Sequence, residues 1–158
     1  MNARRFSHWA RWADRNELEG LGLPGVYALA ISERNLRGRP FSWIKQIVYF
    51  GMTHAFAGLK GRLKQFDNTI LEKGGHGGAE RFRHDYPNPK KLVPLLFVAV
   101  APFKCDVGSY KPDDLIIMGD VAKGEWECFA KYAEAYKRGL PKYNDKKNSP
   151  KYGKTRAS

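Results

Sequence analysis

Tyr27 and Tyr49 stand early in two short apolar runs, 26–31 and 47–52, and Arg62 follows on a run whose apolar residues fall at Leu59, Leu63, Phe66 and Ile70. Two carboxylates, Glu125 and Glu127, come later in a third amphipathic stretch. Phosphodiester hydrolysis needs such residue types: a group that activates water, a cation that neutralises charge building on the phosphate oxygens, and an anchor for a metal ion. A guanidinium grips two phosphate oxygens at once. A phenol beside an arginine and a metal ion has a lowered pKa and can take part in proton transfer. Singly, each residue is equally well served by an ordinary role: a strand tyrosine with its hydroxyl in water, a solvated arginine, an acid in a first helical turn.

The elements that must position these groups can be read from the spacing. Residues 5–19 carry Phe6, Trp9, Ala13 and Asn16 at helical intervals, which predicts an N-terminal helix packed on the domain over 1–20. Two strands, 26–31 and 47–52, are separated by the basic segment 32–45, which holds Arg34, Arg37, Arg39 and Lys45. A helix is expected over 57–71 from apolar spacings of 4, 3 and 4. The glycine-rich segment 73–78, with His76 inside it, reads as a flexible loop, followed by a short helix over 79–86 and a third strand over 92–101. Asp120 is placed to cap a helix running to about Arg138. The order of helix, strand, strand, helix, strand, helix predicts an α/β (α+β) domain, a three-stranded antiparallel sheet flanked by helices. The basic stretch from residue 146 to 158 reads as a flexible tail.

Composition narrows the partners. The formal net charge is +12, from 28 Lys and Arg against 16 Asp and Glu, which favours a polyanion. Residues 1–66 carry 11 basic and 4 acidic groups, residues 67–130 carry 8 and 10, and residues 131–158 carry 9 and 2. Basic flanks around a middle that keeps its acids suit a metal-dependent enzyme on nucleic acid, although a passive binder has the same need for positive charge. Cys105 and Cys128 make no disulfide framework and are too few for a thiolate zinc site. The N-terminus lacks the apolar core of a signal peptide, and the longest apolar run, 92–103, is broken by Pro94 and Pro102. A cytoplasmic, reduced protein without a membrane span is expected.

In this order the landmarks resemble the GIY-YIG nuclease family. Gly25-Val26-Tyr27 stands for the first tripeptide and Tyr49-Phe50-Gly51 for the second, Arg62 is similar to the arginine of the following helix, and Leu140 to Asn144 looks like the closing element. The match covers about residues 24–145, and the nuclease domain is assigned to 21–145. The resemblance implies an endonuclease acting on DNA with one Mg²⁺, for which Mn²⁺ can substitute. It implies that Tyr27 and Tyr49 help activate water, that Arg62 steadies the phosphate and that a glutamate holds the ion. Glu125, flanked by apolar packing, is the first candidate for that glutamate. Glu127 would face about 200° away on the same helix, and Glu134 is a third choice. Asn144 would brace the site or its adjoining backbone.

This chain departs from the pattern in two further ways. Its tyrosines are 22 residues apart, about twice the family's usual spacing, so 32–45 reads as an insertion, either a contact to DNA phosphates or a solvated excursion. Phe66 stands where many members carry a histidine, and His76 is the candidate to supply its role. A non-catalytic nucleic-acid-binding module on the same scaffold is the principal alternative. A homodimer, or a basic component of a larger nucleoprotein assembly, is also compatible with the charge.

Overall fold

Val26 to Ile31 and Leu96 to Ala101 alternate side chains between two equally apolar faces, so both segments suit strands covered on both sides. The computed structural model, which describes residues 1–71, 73 and 75–148, bears this out. Four strands, β1 (Ala10–Arg11), β2 (Gly25–Ile31), β3 (Ile47–Thr53) and β4 (Leu96–Pro102), form one antiparallel sheet in the order β1-β4-β2-β3. The helices are α1 (Gly58–Ile70), α2 (Gly77–Asp85), the single turn α3 (Pro89–Leu92) and α4 (Pro112–Tyr136).

Strand alternation sorts the core into two layers. Val26, Ala28, Ala30, Phe97, Ala99 and Ala101 point to one face, where Val121, Cys128, Phe129 and Tyr132 of α4 cover them. Tyr27, Leu29, Val98 and Val100 point to the other, beneath Leu59, Leu63, Phe66 and Ile70 of α1 and Ala79 and Phe82 of α2. The apolar spacings of α1 therefore do what they predict. No helix among the described residues is long and apolar enough to cross a membrane, and both cysteines are free.

The mixed α/β class and the antiparallel sheet agree with the sequence, whereas the sheet has four strands rather than three. The extra strand replaces the expected N-terminal helix. Residues 3–5 and 12–17 form 3-10 turns, and the chain between them is extended. Its backbone polar groups are taken up from both sides. Ser7 N–H donates to Val100 O (2.7 Å) and Val100 N–H to Ser7 Oγ (3.0 Å), while Trp9 N–H donates to Arg39 O (3.0 Å) and the Trp9 carbonyl accepts from Gly38 N–H (2.8 Å). An otherwise bare edge of β4 thus competes successfully with local helix formation. Extension also sends Trp9 into one core layer and Trp12 into the other, which one face of a helix could not do.

Three other boundaries move. The strand expected over 92–101 begins at Leu96, because Asn88 caps a helical turn with Pro89 in its first position and a 3-10 turn continues to Leu95. Helix α4 begins eight residues before Asp120, at Pro112, so Asp120 lies within it and is not its cap. The glycine-rich segment gives way to helix at Gly77, with His76 as its buried N-cap. Segment 32–45 is partly core: Leu36 and Phe41 are buried, with Phe41 stacked on Phe6 at 4.0 Å, while Arg34, Arg37, Arg39 and Lys45 are exposed. Beyond Asn148 the basic tail lies outside the described residues.

Strand β3 is the other edge of the sheet, and the closing segment seals part of it. Tyr143 N–H donates to Val48 O (2.9 Å), Asn144 Nδ2 donates to Phe50 O (2.7 Å), and Asn144 Oδ1 accepts from Phe50 N–H (2.8 Å). One amide side chain thus acts as a short strand. Asn144→Ala removes both bonds and leaves the Phe50 backbone groups without them, so a stability loss of roughly 1–3 kcal/mol is expected. Urea denaturation measures it, and an unchanged midpoint would refute the bracing role.

Candidate active site

Tyr27 pairs across the sheet with Gly51, and Tyr49 with Leu29, so the two tyrosines share a face on a diagonal. Their ring centroids are 6.0 Å apart. The Tyr27 ring lies over Gly51 so closely that a Cβ there would stand 2.3 Å from the phenol oxygen. A Cβ on Gly78, in the first turn of α2, would likewise stand 2.6 Å from the Tyr49 oxygen. Glycine at both positions lets one ring cross the strand and the other meet a helix start.

The Tyr27 hydroxyl reaches His76 Nε2 at 3.0 Å. His76 is held by Thr69, whose Oγ1 accepts its backbone N–H at 2.9 Å, and by Ala79 N–H, which donates to Nδ1 at 3.2 Å. Because Nδ1 is an acceptor, the neutral ring carries its proton on Nε2 and donates it to the Tyr27 oxygen. Burial, aided by the nearby charge of Arg62, lowers the His76 pKa to about 4, so this neutral form is the one present near neutrality. Phe66 packs edge-on against His76 with centroids 5.3 Å apart.

Arg62 sits among these groups. Its Nη1 donates to Gln65 Oε1 (3.1 Å), while its buried Nε has no hydrogen-bond partner among the described residues. Its charge acts on Tyr27, Tyr49, His76 and Glu125 together. Burial pushes the Tyr27 phenol well above the usual tyrosine range and raises Tyr49 as well, with Arg62 opposing both. Glu125 arrives from α4, on the opposite face of the sheet. Burial raises its carboxyl to about 7, with Arg62 pulling it down.

The structure therefore brings Tyr27, Tyr49, Arg62, His76 and Glu125 into one electrostatic neighbourhood. It does not bring Glu127 there: that carboxylate pairs with the Met1 ammonium and with Lys123 Nζ at 3.7 Å. Glu134 is exposed, and the Asn144 side chain hydrogen-bonds to the backbone of β3. Among the described residues no group of three or more His, Cys, Asp or Glu gathers, and Glu125 is the carboxylate whose charge acts on this cluster. It suits the task of holding a cation, since a half-buried carboxyl raised by desolvation is short of positive charge, and a hard ion fills its remaining positions with phosphate and water oxygens.

Several participants leave no trace in the sequence. Thr69 is one of many α1 residues until its hydroxyl is seen to hold His76. Arg81, on α2, adds a second positive charge felt by Tyr49 and His76 while its Nε donates to Tyr143 O at 2.7 Å. Tyr143, buried, donates to Asp85 Oδ2 at 2.7 Å and packs on Phe82 with centroids 4.1 Å apart. Compared with known proteins, the chain matches no family model, no curated protein and no solved structure.

Two of the site's groups pull stability in opposite directions with pH. His76 has a native pKa of about 4 against 6.5, so between these values the unfolded chain binds a proton that the native state refuses, and acidification costs stability. Glu125 has a native pKa of about 7 against 4.5, so the native state takes up its proton first, and acidification through that window adds stability. In metal-free buffer, Glu125→Gln should expose the histidine effect, losing on the order of 2 kcal/mol relative to wild type between pH 7 and pH 5. His76→Gln should shift the balance the other way by a similar amount. Parallel stability profiles for all three proteins would overturn these assignments.

Proposed function

We propose that this domain hydrolyses phosphodiester bonds in DNA with the help of one divalent cation, in the manner of the GIY-YIG nucleases that its motif order resembles. The observation that carries the reading is the convergence of two phenols, a neutral imidazole and a half-buried carboxyl, from separate elements, on one guanidinium whose Nε has no hydrogen-bond partner among the described residues.

Each residue then has a task that its surroundings support. Arg62 donates to non-bridging phosphate oxygens and to the charge that grows on them during attack. Glu125 holds Mg²⁺, or Mn²⁺ in its place. The bound ion supplies further neutralisation of the phosphate charge. Tyr49, less buried than Tyr27 at 7% against 0%, keeps its proton because burial raises its pKa, so it aids activation by orienting the attacking water through a hydrogen bond while the water's proton leaves to bulk solvent. Tyr27 is fixed beneath it, its oxygen accepting from His76 and its own proton left to donate. His76 is a positioning residue: Nε2 already bears a proton and Nδ1 is occupied by Ala79, so it has no free lone pair to act as a base. The excess of basic residues supplies affinity for the phosphate backbone.

Cleavage of supercoiled and branched DNA by the full chain, with Mg²⁺, with Mn²⁺ and with chelator, tests the reading. Arg62→Ala and Glu125→Ala should each lower the rate on the order of 10²-fold or more, while Glu127→Ala stays near wild type. DNA binding with no metal-dependent cleavage of any substrate would favour the non-catalytic binding module instead. Normal cleavage by the Glu125 variant would remove that residue from the site.

A further inference from the structure

Next to Glu125 on α4 stands Trp126, 68% exposed, although tryptophan is normally covered. Trp9 and Trp12 are buried and Trp43 is partly buried. At about 100° per residue, Leu115, Ala122 and Trp126 fall on one stripe of α4. Trp126 lies about 100° round the helix from Glu125 on one side and about 100° from Glu127, which faces the N-terminus, on the other. The Trp126 ring meets Phe129 edge-on at 5.5 Å, and Phe129 meets Phe50 at 6.2 Å, so Trp126 is linked ring to ring with the strand that carries Tyr49.

A second aromatic stands out beyond the same strand. Phe56, between β3 and the helix of Arg62, is 88% exposed. The edge of its ring passes 3.6 Å from where a side chain on Gly108 would begin, and the loop beneath is pinned by Asp106 N–H to Asp114 Oδ1 (2.9 Å) and Gly108 N–H to Asp106 Oδ1 (3.0 Å). Lys60 and Lys64 follow, exposed one turn apart on α1. The acid of that helix, Asp67, is engaged by Trp12 Nε1 (2.8 Å) and Arg15 (3.1 Å), so it does not offset them.

Exposed aromatic rings interleaved with lysines match a single nucleic-acid strand, whose bases offer faces to stack on and whose phosphates meet the cations. A fully paired duplex keeps its bases stacked on one another and offers such rings little. We propose that Trp126, the chain neighbour of Glu125, and Phe56, just ahead of the helix of Arg62, are stacking platforms for unpaired bases adjoining the phosphate at Arg62 and Glu125, which makes the substrate DNA with a single-stranded segment or a junction. The assignment of the phosphate rests on the nuclease reading; the stacking surface does not.

The test is acrylamide quenching of tryptophan emission in the full chain, in chelator so that no DNA is cut. A single-stranded oligonucleotide should protect the accessible emission, a blunt duplex of the same sequence should not, and Trp126→Phe should remove the accessible signal. Trp126→Ala and Phe56→Ala should each weaken binding of the single strand about tenfold, with Trp126→Tyr restoring most of it and duplex affinity unchanged within about twofold. Equal losses on single-stranded and duplex DNA, or unchanged affinity for both, would overturn the proposal. So would protection that appears with protein concentration alone, which would mark the surface as a contact between copies of the chain. Protection by single-stranded DNA in a protein that cleaves nothing with Mg²⁺ or Mn²⁺ would uphold the platform and defeat the nuclease reading.

Discussion

The packing of Tyr27 across Gly51 is the constraint from which much of the structure follows. A one-residue slip between β2 and β3 would oppose Tyr27 with Phe50 or Met52, and every side chain of the slipped strand would change layers. The close approach therefore fixes the register as well as the ring. With the ring fixed, the phenol oxygen falls where the N-cap of α2 can meet it, and His76 joins the second core layer to the sheet by a buried hydrogen bond. Thr69 then accepts the His76 backbone N–H and Ala79 N–H donates to the imidazole, so α1, α2 and β2 all converge on His76.

Burial, more than neighbouring charge, sets the resting protonation of this cluster. Desolvation is the leading cause of every shift in it: both phenols are driven to keep their protons, the imidazole to remain without a second one, and the carboxyl to hold its proton until about pH 7. All four preferences minimise charge in a dry place. Arg62 is the exception. Its charge is permanent, and an anion arriving there would relieve the guanidinium and fill its unpaired Nε together.

The sequence made some of this legible and hid the rest for identifiable reasons. The tyrosine strands and α1 follow from short-range patterns that burial on two faces then enforces. Helix phase also shows that Glu125 and Glu127 cannot serve one ion together, since residues two apart cannot face the same way, but it does not say which of them faces the tyrosines. The N-terminal segment misled because Phe6, Trp9 and Ala13 have helical spacing, yet what decides their conformation is an unpaired β4 edge about ninety residues away. His76 was legible only as a candidate. Its burial depends on Thr69 and on the Tyr27 oxygen, contacts that no local pattern encodes. Pro112 could have placed the start of α4, being a favoured first-turn residue, but the acid at Asp120 competes with it as a start signal.

The position of the cluster has a topological cause. A sheet covered on both faces is a wall, and side chains from α1 and from α4 can influence one another only around an open margin. The β1 side is the far margin; β3 is the near one. Most of β3 is unsuitable, because Tyr143 and Asn144 occupy Val48 and Phe50. Past that clamp come Gly51, which has no side chain, and Met52. The latter pairs with Val26, and Val26 lies level with Gly124 of α4, where a Cβ would be 3.4 Å from it. Glu125 is the next residue. The carboxyl from one layer and the tyrosines and arginine from the other are therefore brought together at the stretch of edge that the closing segment leaves unsealed. The same clamp protects the strand, at Val48 and Phe50, from pairing with another chain.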